Sequence, residues 1–218
     1  MPQIVTPARV RRISGNQLAL AYTQPVINID LSNVSFKQRR NGSVVEFTFD
    51  FGTLKISLQQ QIYIANDLTP CERRIWASHE QHHVDDNRDC MDHLGTEMMQ
   101  YSFCNRLFQR GDWFPSNNFK RIQRNVRQEI GDAFRDLTKQ KVLALDTRAE
   151  YSRVAQKILR DCPGPIMYTV FPGDNLSRIA QHYYGTQTKW KKIYDANRAV
   201  VGKNPNLIRA GMKLTIPK

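Results

Sequence analysis

Five consecutive residues in the first half of the chain, His-Glu-Gln-His-His at positions 79–83, could carry out metal chemistry. They follow the pattern His-Glu-x-x-His, in which His79 and His83 are separated by one helical turn and therefore share a face. Two imidazoles so placed can hold one zinc ion, which lowers the pKa of a bound water toward neutrality. The glutamate beside the first histidine can take the proton of that water. The pattern therefore predicts a hydrolytic Zn²⁺ site, with His79 and His83 as ligands and Glu80 as the general base.

A second interpretation is open because the histidines are concentrated in one acidic stretch. Most of the histidines of the chain and three aspartates lie there: His79, His82, His83, His93, Asp85, Asp86 and Asp89. A solvated polar surface or a purely structural metal site would have the same composition. The alternative to a hydrolytic site is therefore a structural or surface role for these histidines.

A single helix must position the two histidines, and its start is strongly marked. Thr69 can act as its N-cap, Pro70 occupies the first helical position, and Glu72 completes a capping box. The helix is predicted to run to about residue 108, with His79 and His83 on its apolar face. The apolar residues of that face are Ile75, Trp76, Leu94, Met98, Tyr101 and Phe108. The inward placement of the histidines, where Leu or Ile is usual, favours a functional site.

The elements around this helix are predicted from hydrophobic periodicity and turn chemistry. Residues 28–65 alternate apolar and polar side chains, and hairpin turns are expected at Asn41-Gly42 and at 50–52, which predicts a small antiparallel sheet of three or four strands. A second long helix has an apolar stripe of Phe119, Ile122, Val126, Phe134 and Leu137. A third begins at residues 146–147 and ends at the Cys-Pro-Gly-Pro segment 162–165, where we place a domain boundary.

A sheet followed by a helix with His-Glu-x-x-His resembles the zincin metallopeptidases over residues 28–160. The resemblance implies a peptidase that uses Zn²⁺. The sequence departs from the pattern at Asp85, where zincins usually have an apolar residue. The longer metzincin pattern would have Gly at 86 and His, or occasionally Asp, at 89, whereas this chain has Asp86 and Asp89.

The third zinc ligand is expected to come from another helix, because a straight helix carries Asp86 and Cys90 away from the metal. The gluzincin-like arrangement implies a glutamate on the next helix, and Glu129 fits best, since it borders the apolar stripe, where an unpaired carboxylate is costly. The alternative for Glu129 is an ordinary ion pair with a neighbouring arginine. Glu150 ranks lower, because it is the expected end of a capping box that starts at Thr147.

The C-terminal residues 167–218 closely resemble a LysM domain. The matching landmarks are Tyr168-Thr169-Val170, Gly173-Asp174-Asn175-Leu176, Ile179-Ala180, Tyr184-Gly185, Ile193-Tyr194, Asn197 and Gly211-x-x-Leu214-x-Ile216-Pro217. The resemblance implies a βααβ fold that binds N-acetylglucosamine-containing glycans such as peptidoglycan or chitin. The implied glycan groove is formed by Gly173, Asp174, Asn175, Leu176, Asn206, Leu207 and Ile208. Asn175 stands where Thr is usual, and Ala210 where Pro is common.

Composition restricts the partners and the location of the protein. A net charge of +12 favours an anionic partner, but no nucleic-acid-binding motif is recognisable. No apolar run is long enough for a membrane span, and the first thirty residues lack the apolar core of a signal peptide. We therefore expect synthesis in the cytoplasm without an ordinary signal peptide, and action at the cell envelope or in a phage or injection particle.

These observations combine into one expected architecture and two functional hypotheses. The fold is expected to be α+β, with a zincin-like domain at 1–162 and a LysM domain at 167–218. The first hypothesis is a zinc metallopeptidase that LysM anchors to peptidoglycan and that cleaves proteins or peptide stems there. The second is a non-enzymatic tail or baseplate component of a phage or contractile injection system. In that component LysM would contact neighbouring subunits, and the histidine site would be structural or vestigial.

Overall fold

The computed structural model describes residues 1–14, 19–97, 113–115 and 118–218, which form an α+β protein as expected. The strands are β1 (Gln3–Val5), β2 (Ala21–Asn41), β3 (Val44–Ala65), β4 (Phe114–Pro115), β5 (Ile166–Thr169) and β6 (Lys213–Ile216). The helices are α1 (Pro7–Ser14), α2 (Pro70–Glu97), α3 (Phe119–Leu145), α4 (Arg148–Asp161), α5 (Leu176–Tyr184), α6 (Trp190–Ala196) and α7 (Arg198–Val201). A short 3₁₀ turn, Gln187–Lys189, precedes α6. The chain divides into two compact units.

The first unit comprises residues 23–62 and 81–143 together with Met1. The predicted hairpin at Asn41-Gly42 is confirmed, since β2 and β3 are joined there and Gly42 has a left-handed φ of +61°. The turn predicted at 50–52 is wrong, because β3 continues without a break from Val44 to Ala65. Pairing with the equally long β2 outweighs the local turn preference of Asp-Phe-Gly.

The core of the first unit lies between the sheet, α3 and the second half of α2. The predicted stripe of α3 is confirmed, since Ile122, Val126 and Phe134 are buried. The buried cluster consists of Phe47, Cys90, Leu94, Ile122, Val126, Ile130, Ala133 and Phe134. A polar contact adds to this packing, because the Asn87 amide donates to Gln60 Oε1 at 2.9 Å. The second half of α2 is therefore fixed on the sheet by apolar and polar contacts.

The second unit comprises residues 2–22, 63–80 and 144–218. In it β1 pairs with the end of β3 in parallel, with Gln3 opposite Tyr63 and Val5 opposite Ala65. The sheet is therefore mixed, whereas the sequence had predicted an antiparallel sheet. Parallel pairing requires a crossover connection rather than a tight turn, and the chain between β1 and β3 supplies it through α1 and β2.

The start of α2 is the predicted capping box. The Thr69 N–H donates to Glu72 Oε2 at 2.7 Å, and the Glu72 N–H donates to Thr69 Oγ1 at 3.3 Å. These two bonds satisfy backbone donors that the first helical turn leaves without partners. The helix continues through Glu97. Its predicted extension to about residue 108, with Met98, Tyr101 and Phe108, lies outside the described residues.

Helix α4 is fixed at both of its ends. At its start, Thr147 is the N-cap and accepts a hydrogen bond from the Glu150 N–H at 3.1 Å, as predicted. At its end, Cys162 forms a disulfide with Cys71 in the first turn of α2. The sequence had not predicted this pairing. The disulfide joins two helices of the second unit that are 91 residues apart along the chain.

The C-terminal residues have the predicted βααβ order with one additional short helix, α7. Strands β5 and β6 pair antiparallel, with Ile166 opposite Ile216 and Thr169 opposite Lys213. Helices α5 and α6 lie between them in sequence and contribute the buried residues Leu176, Ile179 and Ile193. None of the helices in the described part of the chain has the length and hydropathy that a membrane crossing needs.

The disulfide provides a stability prediction. Closing a loop of 91 residues is worth about 4–5 kcal/mol in the chain-entropy description. We expect Cys71→Ser/Cys162→Ser to lower the melting temperature by roughly 10 °C or more, measured by circular dichroism. A reductant should lower the wild-type value to that of the variant and leave the variant unchanged. A melting temperature that neither the reductant nor the double substitution alters would contradict the pairing.

Candidate functional site

Helix α2 buries three polar residues of the His-Glu-x-x-His pattern. His79 and Glu80 are each 4% exposed, and His83 is 7% exposed. Together with Asp146, the two histidines form a cluster in which one ligand atom of each residue lies within 4.8 Å of the others. The distance from His79 Nε2 to Asp146 Oδ1 is 3.9 Å. Two imidazoles and a carboxylate therefore converge on one point.

The connection between α3 and α4 positions Asp146. Helix α3 ends at Leu145 and α4 begins at Arg148, because Thr147 caps the new helix. The Asp146 carboxylate accepts a hydrogen bond from the Tyr151 hydroxyl at 2.8 Å, so a residue of the first turns of α4 holds it in place. The carboxylate is thereby presented to His79 from a turn rather than from a helix.

Two aromatic rings surround His79. The Trp76 ring meets it edge-on with centroids 5.8 Å apart, and the Tyr151 ring lies at 5.7 Å. Trp76 and Tyr151 also contact each other, with centroids 6.1 Å apart. These contacts restrict the orientation of the imidazole and keep bulk water away from one side of it.

Two phenols near the cluster are held in the neutral form. Burial raises the pKa of Tyr151 first, and its hydrogen bond to Asp146 raises it further. Burial likewise raises the pKa of Tyr22, with smaller contributions from the charges of Glu80 and Asp146. The Tyr151 hydroxyl therefore remains the hydrogen-bond donor to Asp146, and the Tyr22 hydroxyl also stays protonated. The site combines two imidazoles, two carboxylates and two neutral donors, a set suited to holding a cation and transferring a proton.

The structure brings only some of the predicted site residues together. His79, Glu80 and His83 are buried side by side, whereas His82 and His93 are exposed. The compact histidine cluster therefore uses a subset of the histidine-rich stretch. The acidic residues of that stretch are engaged elsewhere, because Lys141 Nζ lies 3.0 Å from Asp86 and 3.5 Å from Asp89.

Glu129, the predicted third ligand, is not among the residues that the structure groups with the histidines. It is half-buried and lines a shallow groove along α3 with Asn125, Gln128, Asp132, Ala133 and Asp136. Glu150, the lower-ranked candidate, forms an ion pair with Arg153 at 2.5 Å. The carboxylate that the structure groups with His79 and His83 is that of Asp146. The sequence gives only a weak signal for Asp146, because it is an acidic residue just before a helix cap. The sequence analysis had used this residue only to place the start of the helix.

A buried amide side chain adds to the strand pairing and apolar core of the C-terminal βααβ unit. Asn197 donates to the carbonyls of Ile193 and Thr215, both at 2.7 Å, and accepts from the Thr215 N–H at 2.8 Å. This side chain therefore joins the end of α6 to β6. It explains why a polar residue with an exposed fraction of only 4% occupies this position.

A groove opens between the start of α5 and the segment before β6. It is lined by Asn175, Leu176, Ser177, Arg178, Gln187, Trp190, Pro205, Asn206 and Ile208. Four of the predicted glycan-binding residues line it, namely Asn175, Leu176, Asn206 and Ile208. Sequence reasoning had not included the other five lining residues, Ser177, Arg178, Gln187, Trp190 and Pro205.

The other three predicted groove residues do not line this groove. The Asp174 carboxylate accepts hydrogen bonds from the Tyr168 hydroxyl at 2.7 Å and from the Phe171 N–H at 2.8 Å. Gly173 has a left-handed φ of +86° at the turn, and Leu207 is 54% exposed. Asp174 and Gly173 therefore shape the loop. Asn175, despite replacing the usual Thr, still caps α5 by accepting from the Arg178 N–H at 2.8 Å.

Comparisons with known proteins bear on this C-terminal unit. Residues 168–217 match the LysM domain family. An uncharacterized protein of Deinococcus radiodurans is 54% identical over 54 residues, which is 25% of this chain and 20% of that protein. The potassium binding protein Kbp of Escherichia coli O6:H1 is 32% identical over 91 residues, which is 40% of this chain and 60% of Kbp. No solved structure matches the chain.

The chain thus covers less than two thirds of the length of either relative. LysM domains bind N-acetylglucosamine-containing glycans such as peptidoglycan, which is a sign of association with the cell envelope. The family match, the strand pairing and the groove agree on one conclusion: residues 168–217 are a LysM domain.

Proposed function

We propose that this protein is a metal-dependent peptidase that its LysM domain directs to peptidoglycan. The observation that carries the proposal is the convergence of His79, His83 and Asp146 beside the buried Glu80. A surface patch of histidines would not bury these side chains, and the exposed His82 and His93 of the same stretch show the contrast. The third ligand in this proposal is Asp146 rather than Glu129.

The three residues fit a zinc ion by chemistry and by spacing. Catalytic zinc sites commonly have three protein ligands drawn from imidazoles and carboxylates, with a further position left open. Ligand atoms bound tetrahedrally at about 2.0–2.2 Å from zinc lie roughly 3.3–3.6 Å from one another. The distance from His79 Nε2 to Asp146 Oδ1 is 3.9 Å, a little longer than that separation, and all three ligand atoms lie within 4.8 Å of one another.

Glu80, Tyr151 and Tyr22 have separate roles in the proposed reaction. When bound, zinc supplies Lewis acidity and makes water a nucleophile at neutral pH. Glu80 is the general base that accepts the proton of the attacking water and returns it to the leaving amine. Tyr151 keeps Asp146 in the orientation of a ligand through its 2.8 Å hydrogen bond. The Tyr22 hydroxyl remains protonated and is available as a hydrogen-bond donor.

The location proposed for this activity is the bacterial envelope. The LysM domain supplies affinity for glycan strands, and the net charge of +12 suits the anionic polymers of a cell wall. The Cys71–Cys162 disulfide supports a place of action outside a reducing cytoplasm, since such bonds persist in oxidising compartments.

Glycan binding by the whole chain tests the envelope part of the proposal. We expect the purified protein to sediment with insoluble peptidoglycan in both 0.1 M and 1 M salt, and chitin oligomers to displace it. Salt shortens the screening length from about 10 Å to about 3 Å, which weakens adhesion by charge but not hydrogen bonds in a groove. Binding that disappears in 1 M salt and ignores the competitor would contradict this prediction and favour an assembly role, such as a baseplate component.

Metal content tests the ligand set. We expect one zinc per chain in wild type, measured by elemental analysis after dialysis, and a large loss in Asp146→Ala and in His79→Ala/His83→Ala. Glu129→Ala is the matched control and should retain zinc, because it removes a carboxylate outside the cluster. Chelation should also lower the melting temperature of wild type, since metal binding stabilises the folded state. Loss of zinc in Glu129→Ala and not in Asp146→Ala would restore the original ligand assignment.

Glu80 is tested by a substitution that keeps its size. Glu80→Gln should reduce hydrolysis of peptide substrates at least 100-fold while zinc content and melting temperature stay near wild type, because an amide cannot accept the proton of water. Activity is measured by release of new amino groups from peptidoglycan or casein. Glu129→Gln serves as the control with unchanged activity. Wild-type rates in Glu80→Gln would show that Glu80 is not the base.

A further inference from the structure

The LysM domain is packed directly against α4 and is not a tethered module. Only four residues, 162–165, separate the end of α4 from β5, and the first of them is in the disulfide with Cys71. Ser152 Oγ on α4 lies 3.3 Å from His182 Nδ1 on α5. At the end of α5, a side chain at Gly185 would meet the Gln156 amide at 3.5 Å, so the two helices approach closely there.

Buried groups from other elements extend this packing. Tyr183 of the LysM domain is 9% exposed, and burial with the nearby charge of Glu72 of α2 raises its pKa. The Arg11 guanidinium of α1 lies over the Phe171 ring at 5.9 Å. Helices α4 and α1 therefore contact the LysM domain from outside it, and the charge of Glu72 on α2 lies near it. A domain fixed in this way has one orientation, whereas a domain on a flexible linker samples many.

The same helix that carries the LysM domain also carries part of the proposed metal site. Asp146 immediately precedes the α4 cap, and Tyr151 lies in the first turns of α4, one residue before Ser152. The contacts to His79 and to His182 thus come from adjacent positions of one helix. Motion of the LysM domain relative to Asp146 would require α4 to bend or move.

Helix geometry sets an upper limit on the separation of the two sites. Residues rise 1.5 Å each along α4 and α5, and packed helix axes lie about 8–10 Å apart. The path from Asp146 through Ser152 and His182 to Arg178 in the groove is therefore about 30 Å at most. An extended peptide of eight or nine residues spans the same distance, at about 3.5 Å per residue. A peptide attached to a glycan in the groove can thus reach the metal site.

We infer that the substrate is a peptide covalently attached to the N-acetylglucosamine-containing glycan that the LysM groove holds, and that the fixed position of LysM on α4 delivers it to the site. The inference rests on the proposed function. It assigns the substrate class as glycan-linked peptides rather than free proteins. The groove is then part of substrate positioning and not only an anchor.

The test compares one peptide in two forms, attached to soluble glycan chains and released from them by an amidase. With zinc-loaded wild type, kcat/KM should be at least tenfold higher for the glycan-linked form, and chitin oligomers should remove that advantage without slowing cleavage of the free peptide. In a full-chain variant, ten residues of Gly and Ser are inserted between Gly164 and Pro165, and Ser152→Arg and Gln156→Arg disrupt the contact of α4 with α5. There the preference should fall at least threefold, because neither the short connection nor the helix contact then holds the LysM domain on α4. Chitin-oligomer binding and a melting curve verify that the variant is folded.

Three results would overturn the inference. Equal kcat/KM for the free and the glycan-linked peptide would show that the groove does not position the substrate. A preference that chitin oligomers do not affect would place recognition outside the groove. A preference unchanged in the variant with the insertion and the two substitutions would make LysM a simple anchor. In each case the protein still hydrolyses peptides, and the proposed function stands. If zinc-loaded protein hydrolyses neither peptide, the proposed function is overturned, and the inference fails with it.

Discussion

The antiparallel contact of α2 and α4 is the constraint on which the rest of the second unit depends. Cys71 in the first turn of α2 is bonded to Cys162 just after α4, whereas Trp76 and His79 farther along α2 meet Tyr151 near the start of α4. The disulfide and His79 therefore lie near opposite ends of α4. Covalent closure at one end restricts the angle between the helices at the other, and so the position of Asp146 relative to His79.

Burial of the polar face of α2 is unfavourable unless neighbouring residues supply hydrogen-bond or ionic partners. His79, Glu80, His83 and Asn87 are all buried, at positions where an ordinary core helix would carry apolar side chains. Burying such groups costs several kcal/mol when they lack partners, so each must find one. Asn87 donates a hydrogen bond to Gln60 on the sheet, and Asp146 accepts one from Tyr151. A cation between the histidines and Asp146 would add strong interactions to those already present on this face, which gives a physical reason to expect metal binding to stabilise the fold.

Local rules predicted the features that local interactions determine, and missed those that depend on distant contacts. The capping box of α2 and the cap of α4 involve residues three apart, and both are present. The turn expected at 50–52 was overridden by pairing of β3 with β2. The parallel contact of β1, the disulfide and the place of Asp146 beside His79 all join residues more than 55 positions apart. Periodicity and spacing within one element carry no information about such pairs.

The lining of the LysM groove is informative about what it can recognise. Most of its side chains are polar (Asn175, Ser177, Arg178, Gln187 and Asn206), and Trp190 adds an aromatic ring. A sugar with hydroxyl and acetamido groups matches such a surface, since it offers hydrogen bonds at its rim and apolar contact at its methyl group and ring face. An apolar peptide would leave these polar groups without partners, at a cost of about 1–3 kcal/mol each. The lining of the groove therefore favours a glycan over an apolar peptide, and in the proposed peptidase the selection of the peptide would fall to the residues near the start of α4.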